Sequence, residues 1–155
     1  MFFRGVYEHI LDGKGRTSVP ARFREVLLQS YGERLVVTFG FTDDPAQPFL
    51  GVYPLKNWEE IEAALARRNP SEPGVKEIYL KYVANAFEAE VDKLGRILLP
   101  QNLRAHAALE KDVVWVGQVK RMHLYSGATW KSVQSAAGSA DRIKDAAKVW
   151  GEVGG

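Results

Sequence analysis

The sequence predicts an α+β fold built from two tandem copies of one unit. Three observations carry that expectation. First, Leu11 to Arg24 (LDGKGRTSVPARFR) returns as Val91 to Arg104 (VDKLGRILLPQNLR). An offset of 80 residues superposes Asp12 on Asp92, Gly15 on Gly95, Arg16 on Arg96, Pro20 on Pro100 and Arg24 on Arg104. Second, a two-residue period enters each copy, through Tyr7, His9 and Leu11 and through Phe87, Ala89 and Val91, which is the alternation of a strand with unlike faces. Third, Phe23, Val26 and Leu27 follow the first proline and Leu103, Ala107 and Ala108 the second, at the three-to-four spacing of a helix packed on a sheet.

Each unit reads strand, loop, strand, helix, strand, strand, helix. The short strands Thr17 to Val19 and Ile97 to Leu99 end at Pro20 and Pro100, which can open a helix at its first turn, where a missing N–H costs least. β-branched runs follow, Leu35 to Phe39 with Phe49 to Tyr53, then Val113 to Val116 with Met122 to Tyr125, and suit a pleated sheet. Tyr53 to Ile61 matches Tyr125 to Val133 at an offset of only 72, so the first copy carries eight extra residues, assigned to the turn-rich stretch Thr42 to Pro48. A surface loop tolerates such an insertion. Asn57 and Glu60 stand three apart, as in a capping box, ahead of an apolar face of Trp58, Ile61 and Leu65,. Asn69 to Gly74 (NPSEPG) breaks the chain, and Val75, Ile78, Tyr79, Tyr82 and Val83 form a second amphipathic stretch. After Val133 the chain is rich in Ala, Gly and Ser, with a helical pattern through Ile143, Ala147 and Trp150. The expected organisation is a first repeat over 1–68, a connector helix over 69–84, a second repeat over 85–133 and a C-terminal tail over 134–155.

Composition narrows the function classes. In a chain of 155 residues, halves of roughly 70 residues are marginal alone, so they are expected to share one core. The absence of cysteine rules out a disulfide framework and thiolate metal sites, and no metal or cofactor is expected. The opening MFFRGVYEHI lacks the pattern of a secretory leader. No apolar run approaches the roughly 20 residues that cross a bilayer, so a cytoplasmic location and no membrane partner are expected. Lys and Arg number 21 against 19 Asp and Glu, a net charge of +2 with a pI near 8.8, which does not by itself announce nucleic-acid binding. What distinguishes the chain is where its basic residues stand.

Placement centres on the repeated loop D-x-x-G-R. An aspartate leaving a strand can accept hydrogen bonds from backbone N–H groups a few residues on, and a glycine before the arginine permits positive φ. Asp12 with Gly15, and Asp92 with Gly95, can therefore shape a compact turn that aims Arg16 or Arg96 outward. A guanidinium is a planar fork of donors suited to phosphate oxygens or to the N7 and O6 edge of guanine. Lys14 and Lys93 lie inside the same loops. The alternative is that each Asp and Arg merely pair across their own turn. Duplication of the loop, flanked each time by a strand and an R-x-x-x-P spacing, favours the outward role.

These residues also carry a family resemblance. The opening MFFRG, the loops LDGKGRTSVPARFRE and VDKLGRILLP, the segment VVWVGQVKRMHLYSGATW and the helix YPLKNWEEIE together resemble MraZ, the bacterial transcriptional regulators associated with the division and cell-wall gene cluster. The likeness covers roughly residues 1–133. That family is similar to the AbrB and SpoVT class, in which a swapped-hairpin dimer builds a β-barrel. The resemblance thus implies two tandem swapped-hairpin repeats in one chain, a pseudo-twofold double-split β-barrel with flanking helices. It implies Arg16 and Arg96 as the DNA-contacting arginines and Asp12 and Asp92 as their motif partners. It further implies a nucleoid-associated, ring-shaped homo-oligomer that binds tandem G-rich boxes in double-stranded promoter DNA, where several weak subunit contacts act together. Leu94 stands where the first loop has Lys14, so unequal contributions from the two loops are expected.

Two other classes are weighed against this one. An enzyme finds little support: His9, His106 and His123 are scattered, no nucleophile has a recognisable base, and Asp43 and Asp44 sit in the insertion,. An antitoxin-like, protein-binding barrel with secondary DNA contact would need exposed aromatic anchors, for which Trp115, Trp130 and Trp150 are the candidates.

Overall fold

The computed structural model describes residues 1–155 and is organised around one antiparallel sheet. In chain order the elements are β1 (Val6–Ile10), β2 (Arg16–Ser18), α1 (Ala21–Ser30), β3 (Arg34–Phe39), β4 (Leu50–Pro54) and α2 (Leu55–Ala66) in the first half. A helical connector follows, α3 (Val75–Ile78) running into a π-helical turn over Tyr79–Val83. The second half contains β5 (Phe87–Glu90), β6 (Arg96–Leu98), α4 (Gln101–His106), β7 (Asp112–Gly117), β8 (Met122–Ser126), α5 (Gly127–Ala137) and α6 (Ala140–Glu152).

The two halves are interleaved. Six strands form one sheet in the order β1-β7-β8-β4-β3-β5, and β2 pairs with β6 in a separate two-stranded ribbon. The first strand of each half thus pairs with the third strand of the other. Val6 to Ile10 lie against Val116 to Asp112, and Arg34 to Val37 against Glu90 to Phe87. The strands β4 and β8 meet near the centre, Leu50 opposite Leu124. A twofold-like exchange of the halves maps this pairing onto itself.

Burial explains the strand sequences. Val113, Val114, Trp115 and Val116 are all buried, as are Leu35, Val36, Val37 and Thr38, so β7 and β3 are covered on both faces. That is why their sequences run continuously apolar rather than alternating. Residues of both halves build the main core, in which Leu35, Val37, Leu50, Val52, Val113, Trp115, Met122 and Leu124 of the sheet meet Phe23, Val26 and Leu27 of α1, Leu103 of α4, Ile97 of the ribbon, and Val19 and Leu99 just beyond it. The opposite face is covered by α5, where Phe49, Val114, Val116 and Tyr125 pack with Trp130 and Val133. On the same helical layer α2 buries Trp58.

The structure refines the sequence reading at several points. The hydrogen bonding does not close the sheet: β1 and β5 are its edges, and β2 and β6 pair with each other in a separate ribbon. The capping box is not formed. Pro54 precedes α2 at Leu55, placing Asn57 inside the first turn, and its side-chain amide donates instead to the Lys120 carbonyl at 2.8 Å. Ile61 is 43 % exposed and adds little to the helix contact. The tail beyond 133 completes α5 and forms α6, every residue of which is exposed.

Candidate functional site

The two D-x-x-G-R segments fold into the same hairpin. In the first, one Asp12 carboxylate oxygen accepts the backbone N–H groups of Lys14 and Arg16, each at 2.9 Å, and the other accepts the Arg16 Nε–H at 3.2 Å. In the second, Asp92 accepts from Leu94 and Arg96 N–H at 2.9 Å and from Arg96 Nε–H at 3.1 Å. The backbone closes each loop reciprocally, with Asp12 N–H on the Arg16 carbonyl and Asp92 N–H on the Arg96 carbonyl, both 2.9 Å. Gly15 and Gly95 turn the chain at φ of 85° and 80°, a region that L side chains enter only with strain. These bonds hold both carboxyls below the usual carboxylate range, the arginine backbone N–H being the largest cause in each.

The arginines are therefore both paired and presented. Their side chains remain 32 % and 28 % exposed, and only Nε is engaged, leaving the terminal nitrogens of both guanidinium forks without a partner in the chain. Self-pairing of Asp and Arg is real, but it engages Nε alone and fixes the guanidinium with its terminal nitrogens still open. Lys14 and Lys93 are exposed and take part in no ion pair.

Strand register brings the hairpins together. Arg16 and Arg96 are the first residues of β2 and β6 rather than loop residues, and Arg16 lies opposite Leu98, Thr17 opposite Ile97, and Ser18 opposite Arg96. Thr17 and Ile97 are each 1 % exposed and point into the core. Since side chains alternate along a strand and opposed residues share a face, Arg16, Ser18, Arg96 and Leu98 project together from the outer face. The two arginines stand on its diagonal, roughly 7–8 Å apart at the backbone.

Each hairpin is braced by the other half. Leu99 N–H donates to the Gly15 carbonyl and Val19 N–H to the Gly95 carbonyl, both at 2.8 Å. Arg104 of α4 lies over Gly15 and donates from Nε to the Leu99 carbonyl at 3.0 Å, while the Arg24 guanidinium of α1 lies over Gly95. Sequence reasoning aligned Arg24 with Arg104 but gave them no role. Their repetition was the available signal, and the glycine each covers lies in the opposite half, where the repeat could not point.

The remaining candidates stand apart from this face. His9 is on the edge strand β1 and His106 stacks on Phe39 with ring centres 3.7 Å apart. His123 stacks on Phe49 at 4.2 Å, and burial, followed by the nearby Arg121, pushes its pKa down to about 4. The three are not brought together. Asp44 serves its own turn, accepting the Ala46 N–H at 2.9 Å. Trp115 is fully buried and Trp130 packs on Tyr125, whereas Trp150 is 67 % exposed. No helix is long and apolar enough to cross a membrane.

Comparison with known proteins places this geometry in context. A family model described as "MraZ protein, putative antitoxin-like" matches residues 2–78 and 82–151. The chain is 42 % identical over 138 residues to a protein of Desulfitobacterium hafniense (strain DSM 10664 / DCB-2), covering 89 % of this chain and 90 % of that one. It is 41 % identical over 127 residues to one of Thermoanaerobacter sp. (strain X514), covering 82 % of each. With a protein of Anaeromyxobacter dehalogenans (strain 2CP-C) the identity is 38 % over 145 residues, covering 94 % and 97 %. All three relatives carry the name "Transcriptional regulator MraZ".

Proposed function

Because the chain belongs to the MraZ family of transcriptional regulators, we propose that it is a sequence-specific DNA-binding regulator whose β2–β6 ribbon meets the duplex with Arg16 and Arg96. The observation that carries this reading is the pair of equivalent hairpins, each fixing a guanidinium by Nε on the exposed face of one ribbon. A two-stranded ribbon fits the major groove of B-form DNA. A guanidinium anchored at Nε keeps two terminal donors for guanine N7 and O6 or for phosphate. Asp12 and Asp92 set the angle of that fork, and Gly15 and Gly95 allow the turn. Lys14 and Lys93 add mobile charges suited to backbone phosphates.

The ligand is double-stranded promoter DNA with tandem boxes, belonging to the division and cell-wall gene cluster, and the regulator works as a ring-shaped homo-oligomer at the nucleoid. A net charge of +2 is too small for tight binding by one subunit, but several subunits on adjacent boxes gain affinity through effective concentration. The interleaved pairing of the halves suits a one-chain equivalent of a swapped-hairpin dimer, with repeats over 1–68 and 85–133, a connector over 69–84 and a tail over 134–155. An antitoxin-like protein-binding role is the second reading. The family description favours it, but only Trp150 among the candidate anchors is well exposed.

The test is an electrophoretic shift with the DNA upstream of the protein's own gene, at two salt concentrations, using wild type, Arg16→Ala, Arg96→Ala and the double variant. Each single substitution is expected to weaken binding between about fivefold and about a hundredfold, at roughly 1–3 kcal/mol per lost bidentate contact. Melting and oligomer size should stay unchanged. Shortening the DNA to one box should lower affinity steeply. Equal affinity of the double variant and wild type would overturn the assignment.

A further inference from the structure

The two ends of the ribbon face are chemically unlike, and we propose that this gives each subunit's footprint on DNA a direction, with Leu98 and Ser18 as sequence-reading residues beside the arginines. The inference rests on the ribbon being the DNA-contacting element.

The exchange of halves that maps Arg16 onto Arg96 also maps Ser18 onto Leu98 and Lys14 onto Leu94. The arginines survive the exchange, and their neighbours do not. Arg16 has Leu98 directly across the ribbon and Lys14 in its own loop, whereas Arg96 has Ser18 across the ribbon and Leu94 in its own loop. Leu98 is 50 % exposed and Leu94 is 69 % exposed. A single exposed leucine needs no explanation. Here, however, one stands directly across the ribbon from a presented arginine, the two Cβ atoms about 5 Å apart, on an outward face whose own core is complete beneath it through Thr17 and Ile97.

The chemistry of the two cross-strand neighbours differs in what it can read. A branched apolar end can contact the C5 methyl of thymine, while a serine hydroxyl can donate to or accept from several base edges. Alternate residues on one strand are about 6.8 Å apart, close to two base-pair steps at 3.4 Å each. The outer face therefore offers guanidinium with apolar carbon at one end and guanidinium with hydroxyl two steps away. Such a face fits a short site in one orientation better than in its reverse.

The experiment is selection of bound duplexes from a randomised pool by wild type, Leu98→Ser, and the Arg16→Ala and Arg96→Ala variants, followed by affinity measurements on the selected duplex with uracil replacing each thymine in turn. Leu98→Ser makes the four-residue face symmetric, and because Leu98 is exposed the variant should melt like wild type. Wild type is expected to select a directional motif in which one uracil substitution weakens binding about fourfold, the effect of one buried methyl-sized group. Leu98→Ser should lose that uracil penalty and relax that position, keeping the preferences that depend on the arginines. If Leu98→Ser selects the same motif with the same uracil penalty while the arginine variants lose binding, the direction inference fails and the DNA-binding reading stands. If the arginine variants bind as wild type does, both fail.

Discussion

Alanine at Gly15 should destabilise the protein about twice as much as alanine at Gly95, although the two glycines occupy equivalent turns. At either position an L residue enters the left-handed region, φ of 85° or 80°, at about 1–2 kcal/mol, offset by about 0.4–1 kcal/mol from the stiffer unfolded chain. The difference arises from what the new methyl meets. At Gly15 it lies 2.9 Å from the Leu99 carbonyl oxygen and 2.9 Å from Arg104 Nε, and Leu99 is held by its own N–H bond to Gly15. That backbone cannot withdraw without weakening a hydrogen bond worth about 0.5–1.5 kcal/mol. At Gly95 the close atoms all belong to the Arg24 guanidinium, the mobile end of a long side chain. The totals are about 2 kcal/mol for Gly15→Ala and about 1 kcal/mol for Gly95→Ala. For a domain of this size they correspond to melting shifts of roughly 4–8 °C and 2–4 °C. Scanning calorimetry at matched protein concentration reads both. Adding Arg24→Ala should cost less in the Gly95→Ala background than in wild type, because the crowded group is already displaced. Equal shifts for the two glycine variants, or a larger one at Gly95, would show that the Leu99 carbonyl does not set the difference.

Asp12→Asn and Asp92→Asn should preserve the turn, since an amide oxygen still accepts the backbone N–H groups, but the amide nitrogen faces Arg Nε donor to donor and releases the guanidinium. With a negative charge removed, affinity for random DNA should rise while preference for the specific site falls, as measured by competition binding; unchanged discrimination would count against the anchoring role. Both carboxyls have folded pKa values below their unfolded ones. Their stabilising effect is therefore present above the ordinary carboxylate range and is lost as pH falls through the lowered values. His123 acts in the same sense but at higher pH, because burial disfavours its charged form,. With its pKa at about 4 in the fold against about 6.5 unfolded, stability is full above about pH 6.5 and falls by about 3 kcal/mol as pH drops toward 4. His123→Phe should flatten that part of the urea-unfolding pH profile, and an unchanged profile would show that this side chain is not its source.

The repeat, the order of elements and the position of the hairpins were all legible in the sequence because each is local. Alternation into Leu11 and Val91, the prolines at 20 and 100, and the D-x-x-G-R pattern report on a few neighbouring residues at a time. What escaped is what depends on partners. A repeat states that two segments are alike and is silent on whether each pairs with itself or with its twin. The β1–β7 and β3–β5 exchange and the crossing of Arg24 and Arg104 onto the opposite glycines were hidden for that reason. The capping box at Asn57 misled because Pro54 starts the helix earlier, a local signal overruled by a stronger one beside it. Closure was equally illegible, since whether the β2–β6 ribbon and the six-stranded sheet join depends on pairings between distant segments.

The exchange of strands between halves also constrains how the molecule comes into being. During synthesis β1 leaves the ribosome with nothing to pair with, since the partner of Val6 is Val116, in the second half of the chain. Only β3 and β4 among the early strands can zip locally. Structures dominated by such distant pairings fold slowly, because loop closure must be met before the contacts form. The nascent amino-terminal half would thus expose Leu35 to Val37 and Leu50 to Val52 until the second half arrives, a window in which chaperones, or the corresponding strands of another nascent copy, can compete for the same edges.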